Sequence, residues 1–359
     1  MKPLPILAFL LKRIGTVAVT LVIVTALIYG IINLAPLESR VNLYMGRRTR
    51  SNMSAQIERN MIAAIIREHG LDDPFPVQYV RWLGRMVRGE WGYSPLLRAD
   101  VLEVLAKRTP ATVELTLYSL LLFLPLGLIT GAMAGWKRGR AGDRTFRLAA
   151  YVGTSIPPYI LGLVLLSIFY VGLHWFLPGT LTSRAEAVIG SPSFRTFTGL
   201  TTIDSLLNGQ WAVLWDAVRH LALPVVTLSL FHWATLGRVT RALIIEEAGK
   251  GYITAAQAKG LAPRRILWGH AAPNVIAPGL TSSALSAATL ITGVYVVEMV
   301  FNWPGVSKLV TYTVYEPDVA LAAGFSVYSV LGVLAIMLTL DILQALVDPR
   351  LRGGGGEGA

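Results

Sequence analysis

The sequence predicts an all-α, polytopic membrane protein with six transmembrane helices and both termini cytoplasmic. Three observations carry that reading. Apolar residues make up 53% of the 359-residue chain and charged residues 15%, and the apolar residues fall in long blocks. The basic residues behind the net charge of +11 border those blocks, which marks them as loops of a membrane protein rather than as a nucleic-acid surface. The short segment 137–147 carries Lys137, Arg138, Arg140, Arg144 and Arg147 against Asp143 alone. Short loops obey the positive-inside rule, so this one is cytoplasmic and fixes the frame.

Residues 1–35 are read as an N-terminal segment and first span. Lys12 and Arg13 precede an apolar run of about 22 residues, enough to cross a bilayer. That run exceeds a signal-peptide core and lacks a small-x-small cleavage site, so it is expected to remain uncleaved. Residues 36–110 hold no spanning run and are read as an extracytoplasmic segment, because long loops translocate regardless of their charge. Within it, Ile57, Met61, Ala64, Ile65 and Glu68 mark an amphipathic helix ending at Gly70. Tyr79, Trp82, Leu83, Met86, Val87 and Trp91 follow at near-helical spacing. Such aromatics anchor helices at a membrane interface; a contact for an external binding protein is the alternative.

Residues 111–352 are read as a five-helix core. The second span, 112–136, carries Glu114 at its outer end, where water can solvate a carboxylate. Gly127, Gly131 and Gly135 stand at small-xxx-small spacing, which permits close helix packing. The third span, 148–177, contains Pro157 and Pro158, and proline kinks a helix; the kink serves a pathway or packing. Residues 178–218 are read as an external loop with a short surface helix or two near 206–215. The fourth span, 219–236, is followed by Arg238, Arg241, Lys250, Lys259, Arg264 and Arg265, a cytoplasmic signature.

The fifth span, 275–301, is rich in Ser, Thr and Gly, which suits helix contact or a polar passage. Glu298 lies near its outer end; an intramembrane carboxylate is a functional candidate, and an interfacial position is the plainer account. The sixth span, 319–347, has Asp341 toward its inner end, within reach of water or a packed neighbour. Residues 353–359 form a flexible tail. Candidates for the pathway or its gate are Pro157, Pro158, Ser286, Thr289 and Glu298.

Between the fourth and fifth spans lies the polar loop 246–273. Tyr252, Ala255, Ala256 and Lys259 fall at i, i+3, i+4 and i+7, one face of a short helix. Gly260 suits the left-handed end of that helix, and Pro263 suits the first turn of a second, beside Arg264 and Arg265. A helix–glycine–helix of this form is a docking loop or a plain solvated connector.

Thr254-Ala255-Ala256, then Gly260, then Pro273 resembles the cytoplasmic EAA loop of ATP-binding-cassette importer permeases. The wording YITAAQAKGL resembles the dipeptide/oligopeptide/nickel branch, in which the motif's glutamate is commonly replaced; Thr254 holds that place here. FLLKRIGTVAVTLVIVTALIYGIINLAP, SIPPYILGLVLL, RHLALPVVTLSL and FNWPGVSKLV resemble other parts of the same branch. The resemblance implies a type I importer permease fold in the bacterial or archaeal plasma membrane. It also implies pairing with a second, homologous permease subunit, two ATPase subunits and an extracytoplasmic substrate-binding protein. Tyr252, Thr254, Ala255, Ala256, Lys259, Gly260, Leu261, Pro263 and Arg264 would then enter a groove on an ATPase subunit.

The chain has no GxxxxGK[ST] loop, HExxH or GxSxG, and no cysteine. Its five histidines are scattered without metal spacing. Covalent chemistry by this chain is therefore not expected: no cofactor is bound directly, and ATP and Mg are used by the partner ATPase. A stand-alone secondary transporter or channel is the second reading and a membrane enzyme the third. Neither mid-span ionisable residues nor catalytic constellations are evident for them.

Overall fold

Apolar runs in this chain become helices because a helix satisfies its own backbone hydrogen bonds, as a bilayer interior requires. The computed structural model describes residues 4–44, 55–284, 287–315 and 318–347. It divides into two compact units: Ile14–Pro110 with Gly305–Gly332, and Met1–Arg13 with Ala111–Pro304 and Val333–Ala359. The longer helices are α1 (Leu4–Ile32), α2 (Ala55–His69), α3 (Phe75–Val87), α4 (Val101–Trp136), α5 (Ala141–Ser155) and α6 (Pro158–Leu165). After these come α7 (Ser183–Ile189), α8 (Thr201–Leu207), α9 (Trp211–Ala248), α10 (Gly251–Ala258) and α11 (Pro263–Ile266). The last are α12 (Ala272–Ala284), α13 (Ala287–Val300), α14 (Ser307–Tyr315) and α15 (Val319–Val347).

Lys12–Ile32 within α1, all of α4, all of α9 and Val319–Leu343 within α15 are long and apolar enough to cross a membrane. The expected third span is instead two helices, α5 and α6, meeting at 100°. Pro157 and Pro158 explain the break: proline removes backbone donors and disfavours helix in the residue before it. Ile156 is accordingly extended. α6 then widens into a π-helical stretch, Leu166–Gly172. The fourth helix is longer at both ends than its apolar core suggested, and α12 begins before the expected fifth span.

In the unit holding Ile14–Pro110, the α3 aromatics differ in burial: Trp82 is buried, Tyr79 half-buried and Phe75 exposed. Trp82 and Met86 are buried, and the Trp82 ring lies 4.9 Å from that of Tyr29 on α1. Gln78 is the polar centre here. Its side-chain amide donates to the carbonyl of Leu71 at 2.8 Å, and its oxygen accepts from Tyr29 at 3.2 Å and from Arg40. The two-residue strands Tyr93–Ser94 and Ala99–Asp100 pair antiparallel, Tyr93 opposite Asp100. Asp318 accepts from Ser94 Oγ at 2.6 Å and from the Leu321 amide at 2.9 Å, capping the start of α15.

The other unit is built on α9. Leu221, Leu228 and Leu236 of α9 share a core with Leu115 and Phe123 of α4, Leu290, Val294 and Val297 of α13, and Leu340 of α15. Gly127, Gly131 and Gly135 line the α4–α9 crossing. A Cβ on Gly131 would stand 2.4 Å from the Gly237 carbonyl oxygen, and one on Gly135 2.7 Å from that of Arg241. The stripe therefore sets how closely the two helices approach. Gly237 in turn leaves room for Phe146 of α5, whose ring would lie 2.7 Å from an added Cβ. Asp341 of α15 finds a neighbour, Arg13 of α1, at 2.7 Å.

Glu114 is not solvated at a helix end as expected. It is buried, and accepts from the Thr202 amide at 2.7 Å and hydroxyl at 2.6 Å, fastening α8 to α4. A buried carboxylate at the start of a helix meets unpaired N–H groups, and that makes the burial tolerable.

The glycine stripe yields a stability prediction. Gly131→Ala should cost about 1–3 kcal/mol through overpacking, whereas Gly142→Ala, with open space around its Cβ, should stay within about 0.5 kcal/mol of wild type. Thermal unfolding in detergent, followed by tryptophan fluorescence, separates them. Equal melting of the two variants would contradict the close crossing.

Candidate functional site

α9 ends at Ala248, and the chain turns through Gly249 and Lys250 into α10. Gly260 has φ +73°, the left-handed conformation that glycine accepts without strain. Its N–H bonds the Gln257 carbonyl at 2.9 Å, and that of Leu261 bonds the Ala256 carbonyl at 3.3 Å. These two bonds make a Schellman ending, with Leu261 and Ala256 in its usual hydrophobic contact. Pro263 occupies the first position of α11, where its missing N–H costs nothing. A π-helical stretch, Leu267–Ala271, leads into α12.

α10 packs on its own chain through a face centred on Ile253, which the spacing did not single out. Ile253 and Ala256 are buried, with Ile253 fully so. They share a core with Ala132 of α4, Ile244 of α9, and Ile266, Leu267, Ala271 and Val275 of the returning chain. Tyr252, Thr254, Ala255, Lys259, Gly260, Pro263 and Arg264 are exposed, and Leu261 is half-buried. Of the four residues read in the spacing, Tyr252, Ala255 and Lys259 are exposed and Ala256 faces inward beside the apolar Ile253.

Glu247, at the end of α9, holds this arrangement together. Its side chain is buried and accepts from Lys250 Nζ at 2.6 Å, from the Tyr252 hydroxyl, and from Asn274 Nδ2 at 3.2 Å. Asn274 also donates to Tyr252 Oη at 3.0 Å and to the His270 carbonyl at 3.1 Å. One carboxylate thus ties together the end of α9, the start of α10 and the first turn of α12. Burial first, and then the bond to Glu247, raise the Tyr252 phenol above its ordinary value, so it remains a donor at neutral pH. Neighbouring Glu247 raises the Lys250 ammonium likewise. Sequence spacing missed Glu247 and Asn274; the pairing of a carboxylate with a tyrosine five residues on was the one local hint.

A second tie joins the first turn of α5 to α9. Asp143 receives a forked pair of bonds from Arg241, Nε at 2.5 Å and Nη2 at 3.0 Å. The Gly139 amide adds a third at 2.8 Å. Forked arginine–carboxylate geometry resists sliding as well as separation, so α5 is fastened to the α9 end that carries the loop.

The pathway candidates separate. Pro157, Pro158 and Thr289 line one cleft of about 380 Å³ with Phe231, His232, Thr292 and Gly293. Glu298 does not line it. That residue is fully buried, and accepts from Thr112 Oγ at 2.5 Å, linking α13 to α4. Ser286 lies outside the described residues. Among the described residues no three His, Asp or Glu side chains gather as a metal site.

Comparison with known proteins gives a family and a set of relatives. The model of the binding-protein-dependent transport system inner membrane component matches residues 124–353, and its N-terminal companion matches residues 6–116. The chain is 31% identical to the di/tripeptide transport system permease protein DppB of Pseudomonas aeruginosa, over 96% of this chain and 99% of that protein. It is 33% identical to the probable D,D-dipeptide transport system permease protein DdpB of Escherichia coli, over 83% and 86%. It is 31% identical to the oligopeptide transport system permease protein AppB of Bacillus subtilis, over 80% and 83%.

Removing the Glu247 carboxylate should free α10 without unfolding the protein. A buried hydrogen bond to a charged group contributes about 1.5–3 kcal/mol. Glu247→Ala should therefore speed amide exchange in α10 by about 10- to 100-fold and leave that of α4 unchanged. Unaltered exchange in α10 would show that Ile253 and Ala256 hold the helix alone.

Proposed function

The chain belongs to the family of binding-protein-dependent transport system inner membrane components, and from that premise we propose that it is a permease subunit of an ATP-driven peptide importer. It is a multi-pass membrane protein. The relatives' names supply the peptide class of substrate, dipeptides to oligopeptides. The observation that carries the coupling role is the two-sided α10. Ile253 and Ala256 are fixed in a core with α4 and α9, while Tyr252, Thr254, Ala255 and Lys259 stay exposed for a partner.

In this reading the chain crosses the bacterial or archaeal plasma membrane six times. The bent α5–α6 pair makes one crossing and α12 with α13 another, and both termini are cytoplasmic. The basic segment 137–147 and the basic residues around α10 support that orientation. The exposed face of α10, with Gly260, Leu261, Pro263 and Arg264, enters a groove on an ATPase subunit. The complex holds two such ATPases, a second homologous permease subunit and a substrate-binding protein outside. ATP and Mg are bound and used by the ATPases, not by this chain.

Transport then follows alternating access. ATP-driven closure of the ATPases carries α10 with it, and the Glu247 network passes that motion to α9 and α12. Through Asp143 and Arg241, α9 carries α5 along. The cleft beside Pro157, Pro158 and Thr289 lies at the break between α5 and α6, where a rigid-body shift of α5 would open or close it. The loop must bind its groove differently in the two states, or no motion is driven.

Purification of the tagged chain from detergent-solubilised membranes should recover an ATPase subunit and a second six-span subunit. In liposomes, Gly260→Leu should abolish transport and the stimulation of ATP hydrolysis by the loaded binding protein, because a branched side chain is strained at φ +73°. Insertion and yield should persist. Full transport by that variant, or transport by the chain alone, would refute the coupling role.

A further inference from the structure

A cleft of about 1210 Å³ in the α9 unit is distinct from the one beside the helix break. It opens between the end of α4 and the loop that carries α11. Its wall is apolar: Ile129, Met133 and Trp136 on α4, and Trp268 opposite. Its rim is cationic: Lys137, Arg138, Arg140 and Arg264. No carboxylate lines it, and among the described residues none of these four cations has a carboxylate partner. The nearby Asp143 is already taken by Arg241.

We propose that this cleft binds an anionic phospholipid, its phosphodiester headgroup among Lys137, Arg138 and Arg140 and an acyl chain along Ile129, Met133 and Trp268. The polarity of the site runs along α4. Ile129 and Met133 lie inside a helix apolar enough to cross the membrane, and both are about half exposed. Trp136 ends that helix and the cations begin at the next residue. Seven residues of helix separate Ile129 from Trp136, roughly 10 Å of rise. A soluble ATPase outside the bilayer cannot reach that depth, whereas an acyl chain fills it from within the leaflet. Basic pockets between spanning helices on the cytoplasmic side suit anionic headgroups, and tryptophans favour the same depth. The inference rests on the membrane orientation proposed above, and Arg264 makes the lipid a neighbour of the ATPase-docking loop.

The test uses the purified complex, and the chain alone if no partner is recovered. Native mass spectrometry after delipidation and incubation with phosphatidylglycerol or phosphatidylcholine counts the lipid retained. Wild type should keep one phosphatidylglycerol per chain, and no phosphatidylcholine under the same activation. The triple variant Lys137→Gln, Arg138→Gln, Arg140→Gln should lose at least ~10-fold in retention. Trp268→Ala should lose phosphatidylglycerol as well, while leaving recovery of the ATPase unchanged. Equal retention by wild type and both variants would overturn the proposal. So would displacement of the lipid by inorganic phosphate alone, which would leave a bare anion site. A third overturning result is complete disulfide capture of a Met133→Cys chain by a cysteine scanned along the second membrane subunit, because the wall would then be an interface. Lipid retention is read without an ATPase, so failure of the importer reading appears separately, as the absence of partner subunits.

Discussion

The close crossing of α4 and α9 is the constraint on which the rest of the α9 unit depends. Three glycines on α4 let the backbones come within reach of one another, and Gly135 stands directly against Ile244. Ala132 and Ile244 then form the floor on which Ile253 of α10 rests. A bulkier residue in the stripe would lift α9 and take the floor apart. In water the seat of such a loop could be any apolar patch. In a bilayer, apolar surface alone does not select a helix partner, so close backbone fit has to do so.

On that floor the loop is built as a stiff part. The Schellman ending at Gly260 stops α10 at a fixed point, and Pro263 starts α11 three residues later. Glu247 joins both sides of the loop to the helix below it. A connector meant only to link two spans needs none of these ties. A part that transmits displacement needs all of them, because slack between its contact face and its helix would absorb the motion.

Local features were legible in the sequence. The glycine stripe, the left-handed Gly260, Pro263 at a helix start and the amphipathic helix ending at Gly70 each depend on neighbours within a few turns. Features decided by distant partners were not. Glu114 looked like a helix-end carboxylate open to water and Glu298 like one near a helix's outer end, and neither sequence context showed their partners, Thr202 and Thr112, which lie 88 and 186 residues away in the chain. The spacing of Tyr252, Ala255, Ala256 and Lys259 named a helix, and three of those residues are exposed; that Ile253 and Ala256 are covered by α4 and α9 only the fold reveals. Two consecutive prolines announced a kink, but the 100° turn between α5 and α6 also needs the packing of α6 against α13, where Gly162 meets Val300 and Phe301.

The central claim is that α10 has one face held by its own chain and one face offered to an ATPase. Photo-cross-linking tests it most directly, with a benzophenone amino acid placed at Ala255 or at Ile253 in the assembled complex. At position 255 the account predicts a cross-link to the ATPase subunit whose yield changes between nucleotide-free and ATP-bound complex. At position 253 it predicts cross-links within the chain only. Capture of the ATPase from 253, or none from 255 in either state, would contradict it.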